Sequence, residues 1–193
     1  MIRLSWPVVL ASASPRRQEL LAKLIEEFTV DPAHVDEDAM TVDDPDITAR
    51  SLAREKAMAV FERHPECLVI GGDTVVALPS ESGWIQLTKP TDVEDAVRIL
   101  TELGGKTHHV ITGMCLRWPK GIVSFAEKSD VTFRPLTETE IRAHIATGEP
   151  MDKAGAYGLQ GEGRHLVEKI SGSVTNVIGL PMEALEQELK KLR

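Results

Sequence analysis

The eleven residues Leu68-Val69-Ile70-Gly71-Gly72-Asp73-Thr74-Val75-Val76-Ala77-Leu78 decide most of what this chain can fold into. They are apolar, β-branched or small and do not alternate with polar residues, which is the pattern of a strand covered on both faces at the centre of a sheet. A carboxylate in the middle of such a run costs several kcal/mol unless a cation or hydrogen bonds compensate it. Asp73 therefore needs a partner. Gly71-Gly72 just before it permits a bulge or a close approach of another backbone. An aspartate capping its own turn, with the strand broken in two, is the plain alternative, and it leaves Val75-Val76 unexplained.

The flanking sequence alternates between strand and helix patterns. Val8-Val9-Leu10-Ala11 reads as a first strand, and Ser14-Pro15 as the cap and first position of a helix running to about Glu26, with Leu20, Leu21, Leu24 and Ile25 as its apolar stripe. A second helix over roughly 47–63 places Ala49, Leu52, Ala53, Ala57, Val60 and Phe61 on one face. After a turn at Pro79 to Gly83, Thr91-Asp92-Val93-Glu94 supplies a capping box for a third helix. Strands are expected at Val110–Leu116 and Val131–Phe133, and a helix behind the capping box Thr137–Glu140 that ends at Gly148. A glycine-rich segment, Lys153 to Gly161, precedes two short strands and a last helix from about Met182. This succession predicts an α/β fold built on a mixed, twisted central sheet.

With 193 residues, 42% of them hydrophobic and 27% charged, residues 1–193 suit one globular domain, or one domain in two lobes. The formal net charge of -8, with basic residues single or paired, speaks against binding a nucleic acid strand and for a small anion held at a defined point. No apolar stretch is long enough to be a signal peptide or to cross a bilayer, so no membrane association and a cytoplasmic location are expected. Cys67 and Cys115 stand far apart and read as reduced core thiols.

Several polar residues are costly where they stand. Arg16 and Arg17 occupy the first turn of a helix, where each is unfavourable by roughly 0.3–1 kcal/mol unless an anion is present. With Ser12 they make a phosphate site from backbone N–H groups and guanidinium forks; equally, both can extend into solvent. Lys56 falls inside the apolar stripe of its helix, either snorkelling at the core edge or reaching a phosphate in a cleft. Glu37, in an acidic run that by itself reads as a solvated loop, can join Asp73 in holding Mg²⁺ or Mn²⁺. Lys89 in isolation merely ends an extended piece before Pro90. Neither a P-loop nor a dinucleotide fingerprint is present, and His108-His109, adjacent on a strand, cannot share one metal.

Ser12-Ala13-Ser14-Pro15-Arg16-Arg17, Arg54-Glu55-Lys56-Ala57, Gly72-Asp73-Thr74, Lys89-Pro90 and Asp152 to Gly161, with Thr107-His108, Thr112-Gly113 and Asn176 to Pro181, together resemble the Maf family over nearly the whole chain. The resemblance implies a fold related to the inosine triphosphate pyrophosphatases, two lobes flanking a cleft, and a homodimer. It implies hydrolysis of nucleoside triphosphates to the monophosphate and pyrophosphate, with dTTP and UTP as substrates. Asp73 would be the proton acceptor, and Ser12, Arg16, Arg17, Lys56, Lys89 and Gln160 would bind substrate. Glu37 would lie at the metal with Asp73, while Arg16, Thr74 and Gln160 would sort the base. Two other readings remain: a nucleotide-binding regulator of septum formation without catalysis, and a hydrolase of modified nucleotides.

Overall fold

A computed structural model describes residues 1–192, the side chain of Asp38 excepted. Seven strands form one sheet: β1 (Val8–Leu10), β2 (Thr29–Val30), β3 (Leu68–Ser80), β4 (Gly83–Leu87), β5 (Thr107–Trp118), β6 (Gly121–Phe133) and β7 (Val167–Ser171). Six α-helices accompany it: α1 (Pro15–Leu21), α2 (Pro45–Phe61), α3 (Val93–Leu103), α4 (Glu138–Ala146), α5 (Val174–Ile178) and α6 (Met182–Lys191). The order is β2-β1-β3-β5-β6-β7, with β4 also on β3; β1 runs parallel to β2 and β3, and every other pair is antiparallel. The mixed sheet expected from the sequence is thus the sheet observed.

The long strands explain how one sheet carries two lobes. The 13 residues of β3 extend over roughly 43 Å, too far for a single core. Its first part feeds two clusters: Leu68 and Ile70 pack with Leu10, Leu21, Met114 and Leu185, and Val69 packs with Ala53, Ala57 and Cys115. Its last part, Val76 and Leu78, joins a separate core with Ile99, Leu100, Leu103 and Phe133. Burying each of those large side chains contributes about 1.5–3 kcal/mol. On the edge of β3 away from β5, β1 pairs with Leu68 to Ile70 and β4 begins only at Val76. Between them, residues 71–75 of β3 pair with β5 alone among the described strands. Asp73 sits in that gap, at the junction of the lobes.

Helix α2 closes the gap from one face. Asp44 caps it, accepting from Asp46 N at 2.8 Å, so the helix starts at Pro45 rather than near residue 47. Its small residues allow a close approach to the sheet: a Cβ added to Gly71 would meet the Ala53 carbonyl and lie 2.8 Å from Ala57 N, and one on Gly113 would meet the Ala49 carbonyl and lie 2.7 Å from Arg50 N. Of the two roles open to Gly71-Gly72, close approach is the one realised at Gly71; the β3–β5 register runs unbroken from Val69 to Ala77, without a bulge.

Other expectations shift. Helix α1 stops at Leu21, because the following turn tightens onto i→i+3 bonds such as Lys23 N to Leu20 O, while Leu24 and Ile25 still enter the core. The cap of α3 is Asp92, whose Oδ1 accepts from Asp95 N at 2.8 Å, one residue beyond the expected Thr91. Strand β6 starts ten residues before the expected Val131, at Gly121, because it pairs with β5 along its whole length. Of two short strands expected after Gly161, only β7 forms; Val174–Ile178 is helical, capped by Ser173 Oγ on Asn176 N and ended by Gly179 at φ 118°. The capping box Thr137/Glu140 forms as read.

Candidate active site

A cleft of about 820 Å³ opens over residues 73–76 of β3, lined by the β1–α1 turn, the loop bearing His34 and Glu37, one face of α2, the end of β4 and the glycine-rich segment. At its base Asp73 is 8% exposed and Lys56 is 9% exposed. Lys56 Nζ lies 2.6 Å from Asp73 Oδ1 and 2.7 Å from Glu37 Oε1. The partner demanded by a carboxylate inside the sheet is therefore the lysine demanded by the apolar stripe of α2. Burial pushes the Glu37 carboxyl up, but the hydrogen bond and charge of Lys56 outweigh it and hold that group below its ordinary value. Lys56 engages one oxygen of each acid, and among the described residues no hydrogen bond reaches Asp73 Oδ2 or Glu37 Oε2.

The β1–α1 turn supplies the next groups. Ser14 caps α1 by accepting from Arg17 N, and Pro15 holds the first helical position. Consecutive residues on a helix point about 100° apart, and the two arginines diverge accordingly. Arg16 lines the cleft and reaches Asp152 at 3.9 Å. Arg17 turns inward: its Nε donates to Gly179 O at 2.8 Å, Nη1 to Ser12 Oγ at 3.1 Å and Nη2 to Thr74 Oγ1 at 2.9 Å. Solvent, one reading of the sequence for both, holds neither side chain entirely, since each is half-buried. The Thr74 hydroxyl is shared with Thr112 Oγ1 at 3.0 Å.

Ser12, Arg16, Arg17, Glu37, Lys56, Asp73, Thr74 and Lys89 thus converge on one cleft, with Lys89 exposed at its rim. Gln160 does not line the cleft; it is exposed, 3.5 Å from Glu19 Oε2. Several cleft residues carried no individual assignment in the sequence, His34 and Lys153 among them. His34 had no signal beyond its place in a loop. Lys153, in the glycine-rich segment, donates to Glu149 O at 2.7 Å and to Asp152 Oδ1 at 2.6 Å. The Asn176 to Pro181 motif also acquires a physical role: buried Asn176 donates to Val110 O and Ser129 Oγ, fixing α5 on the sheet so that the Gly179 carbonyl meets Arg17.

Glu37 and Asp73 form an all-oxygen donor pair, which suits a hard divalent cation that also takes phosphate oxygens. Lys56 competes for that pair, so the oxygens it leaves free are the ones a cation could use. No helix among the described residues is long and apolar enough to cross a membrane.

Residues 7–192 match the family model described as Maf-like protein. The dTTP/UTP pyrophosphatase of Aquifex aeolicus (strain VF5) is 44% identical over 185 residues, covering 96% of this chain and 95% of that protein. The dTTP/UTP pyrophosphatase of Myxococcus xanthus (strain DK1622) is 46% identical over 175 residues, covering 91% and 87%. In fold, the chain is similar to the Staphylococcus aureus Ham1 protein, with a TM-score of 0.56 over 97% of this chain and 100% of that one, at 14% identity. That distant likeness concerns the α/β architecture alone. The family match runs through β1, α2, β3 and the glycine-rich segment, the same elements that build the cleft, and by it this chain belongs to the Maf family.

Proposed function

We propose that this chain hydrolyses nucleoside triphosphates, dTTP and UTP foremost, to the monophosphate and pyrophosphate. The observation that carries the reading is Asp73: a carboxylate inside the sheet, compensated by Lys56 at 2.6 Å, and opening onto the cleft. The names of the relatives supply the substrates. A triphosphate carries about four negative charges, and catalysis of its cleavage is largely a matter of cations placed in advance. Arg16, Lys89 and Lys56 face the cleft and supply that charge, while Ser12 offers a hydroxyl at the turn.

In the proposed reaction Asp73 accepts a proton from water at Oδ2 as the water oxygen bonds to the α-phosphorus. The bond from that phosphorus to the α–β bridging oxygen breaks, and pyrophosphate leaves with the electron pair. Glu37 and Asp73 would hold Mg²⁺ or Mn²⁺, which when bound supplies neutralising charge to the phosphates. Arg16 and Thr74 bias base choice from the cleft, whose lining stops one residue short of Gln160; Thr74 does so through Arg17 and Thr112, to which its hydroxyl is committed. The enzyme works in the cytoplasm as a homodimer.

Replacing Asp73 with Asn and following pyrophosphate release from dTTP and UTP tests the reading. Removal of a general base is expected to cost about 10²–10⁴-fold in rate. Full turnover by Asp73→Asn would remove Asp73 from the chemistry, and stoichiometric nucleotide binding by the natural protein without pyrophosphate would turn the enzyme into a binder.

A further inference from the structure

We propose that the turn joining α2 to β3 is a binding site for a borderline-soft divalent cation of the Zn²⁺ type, ligated by His64, Glu66 and Cys67 and braced by Asp31. The site is separate from the nucleotide cleft, and the proposal stands whether or not the hydrolase reading does. The donor atoms of His64, Glu66 and Cys67 all lie within 4.8 Å of one another. The turn that gathers them is closed by Cys67 N donating to His64 O at 3.1 Å, with Pro65 restricting the backbone between. Cys67 Sγ and Glu66 Oε1 are 3.4 Å apart. A tetrahedral zinc site with Zn–S of about 2.3 Å and Zn–O of about 2.1 Å separates its sulfur and oxygen by about 3.6 Å. Two of the three ligands already stand at nearly that spacing, and a His64 ring nitrogen lies within 4.8 Å of both.

Asp31 adds an independent feature. Its Oδ2 lies 2.8 Å from His64 Nε2. A neutral imidazole that gives Nε2–H to a carboxylate carries its lone pair on Nδ1, and histidines that ligate metals characteristically have the other ring nitrogen held in this way. Arg63 bonds the same carboxylate, with Nε at 3.0 Å from Oδ2 and Nη2 at 2.9 Å from Oδ1, which keeps Asp31 ionised and fixed in place. Hydrogen bonds from Arg63 and His64 bring the Asp31 carboxyl down to about 2.

The donor set also separates this site chemically from the Glu37/Asp73 pair. One nitrogen, one sulfur and one oxygen suit Zn²⁺ or Co²⁺ and disfavour Mg²⁺, which demands oxygen. Three protein ligands leave a fourth position for water. Ligation by a thiol releases its proton, so metal binding at Cys67 should tighten as pH rises. Asp31 follows β2 and leads into the loop bearing Glu37, so its bonds to Arg63 and His64 tie the metal-binding turn to the wall of the cleft.

The test is titration of the metal-free full chain with Co²⁺ as a spectroscopic stand-in for Zn²⁺. One equivalent should produce a thiolate-to-cobalt charge-transfer band that Zn²⁺ abolishes and excess Mg²⁺ does not. Cys115→Ser and Asp73→Asn should keep the band, Cys67→Ser should lose it, and Asp31→Asn should weaken binding about 10–100-fold. Absence of the band in the natural protein, or its survival in Cys67→Ser, would overturn the proposal. Should Cys67→Ser not fold, His64→Gln and Glu66→Gln decide: unchanged cobalt affinity in both refutes the site, and a loss of tenfold or more in each supports it.

Discussion

Lys56 Nζ lies 2.6 Å from Asp73 Oδ1 although the two side chains come from different layers, one from the inner face of α2 and one from the middle of β3. Each is a charge that its own element cannot tolerate alone. Breaking a buried pair by removing one member typically costs about 3–5 kcal/mol. Lys56→Met should therefore lower the melting temperature by about 6–20 °C in a chain of this size and abolish turnover. Adding Asp73→Asn to Lys56→Met removes the stranded carboxylate and should restore part of the stability but none of the activity. Thermal unfolding of the two variants beside the natural protein checks this, and a Lys56→Met protein as stable as the natural one would show that Asp73 does not depend on its lysine.

The closeness of α2 to the sheet rests on two glycines, of which Gly113 has the less room. An alanine there would place its methyl carbon on the Ala49 carbonyl, a backbone atom that cannot rotate away. Overpacking of this kind costs about 1–3 kcal/mol, and the relief available is to lift α2. Lifting α2 carries Lys56 away from Asp73. Gly113→Ala should thus lose activity out of proportion to stability, whereas an ordinary core truncation such as Leu100→Ala, in the other lobe, should lose stability first. Pyrophosphate release measured well below each variant's unfolding temperature distinguishes the two.

Asp73, Lys56 and the central strand were legible because burial of a charge is a contradiction that the local pattern displays. The apolar stripe of α2 and the run Leu68–Leu78 announce it without any knowledge of what lies opposite. That the two contradictions resolve each other was not legible, since it depends on how far α2 sits from β3, which Gly71 and Gly113 set from outside the helix. The inward turn of Arg17 was hidden too: its position in α1 is like that of Arg16, and its acceptors Thr74 and Gly179 are 57 and 162 residues away. Strand β6 extends beyond Val131–Phe133 because Glu127-Lys128-Ser129-Asp130, which breaks the apolar pattern between Ala126 and Val131, is carried through by pairing with β5.

Arg17 gives a way to separate anchoring from anion binding. Its fork joins the β1–α1 turn, Thr74 of β3 and the end of α5 in one set of hydrogen bonds. Lysine keeps the charge but cannot reproduce the three directions. Loss of about two net hydrogen bonds costs about 2 kcal/mol, so Arg17→Lys should melt about 4–8 °C lower. Thr74, freed from Nη2, should also make the variant less selective between pyrimidine and purine triphosphates. If Arg17→Lys keeps its melting temperature and only KM rises, the side chain binds phosphate directly and is not an anchor.

His108 supplies the acid limit of stability. It is fully buried beneath Phe133 and Tyr157, with Nε2 2.8 Å from the Tyr157 hydroxyl and ring centroids 5.0 and 5.5 Å away. Burial first, and the neighbouring His109 second, bring its pKa down to about 3. In the unfolded chain a histidine titrates near about 6.5. Between those values the unfolded state binds a proton that the native state refuses, so stability rises with pH and falls as the solution is acidified below about 6.5, by up to about 1.4 kcal/mol per pH unit. The paired acids do not contribute to this fall: Asp31 and Glu140, both near 2, lose their stabilisation only as pH drops below the ordinary carboxylate range. Urea midpoints at pH 7, 6 and 5 should therefore decline in the natural protein. In His108→Gln, which keeps a polar partner for Tyr157, the curve should be nearly flat over the same range. An equal decline in both proteins would place the acid sensitivity elsewhere.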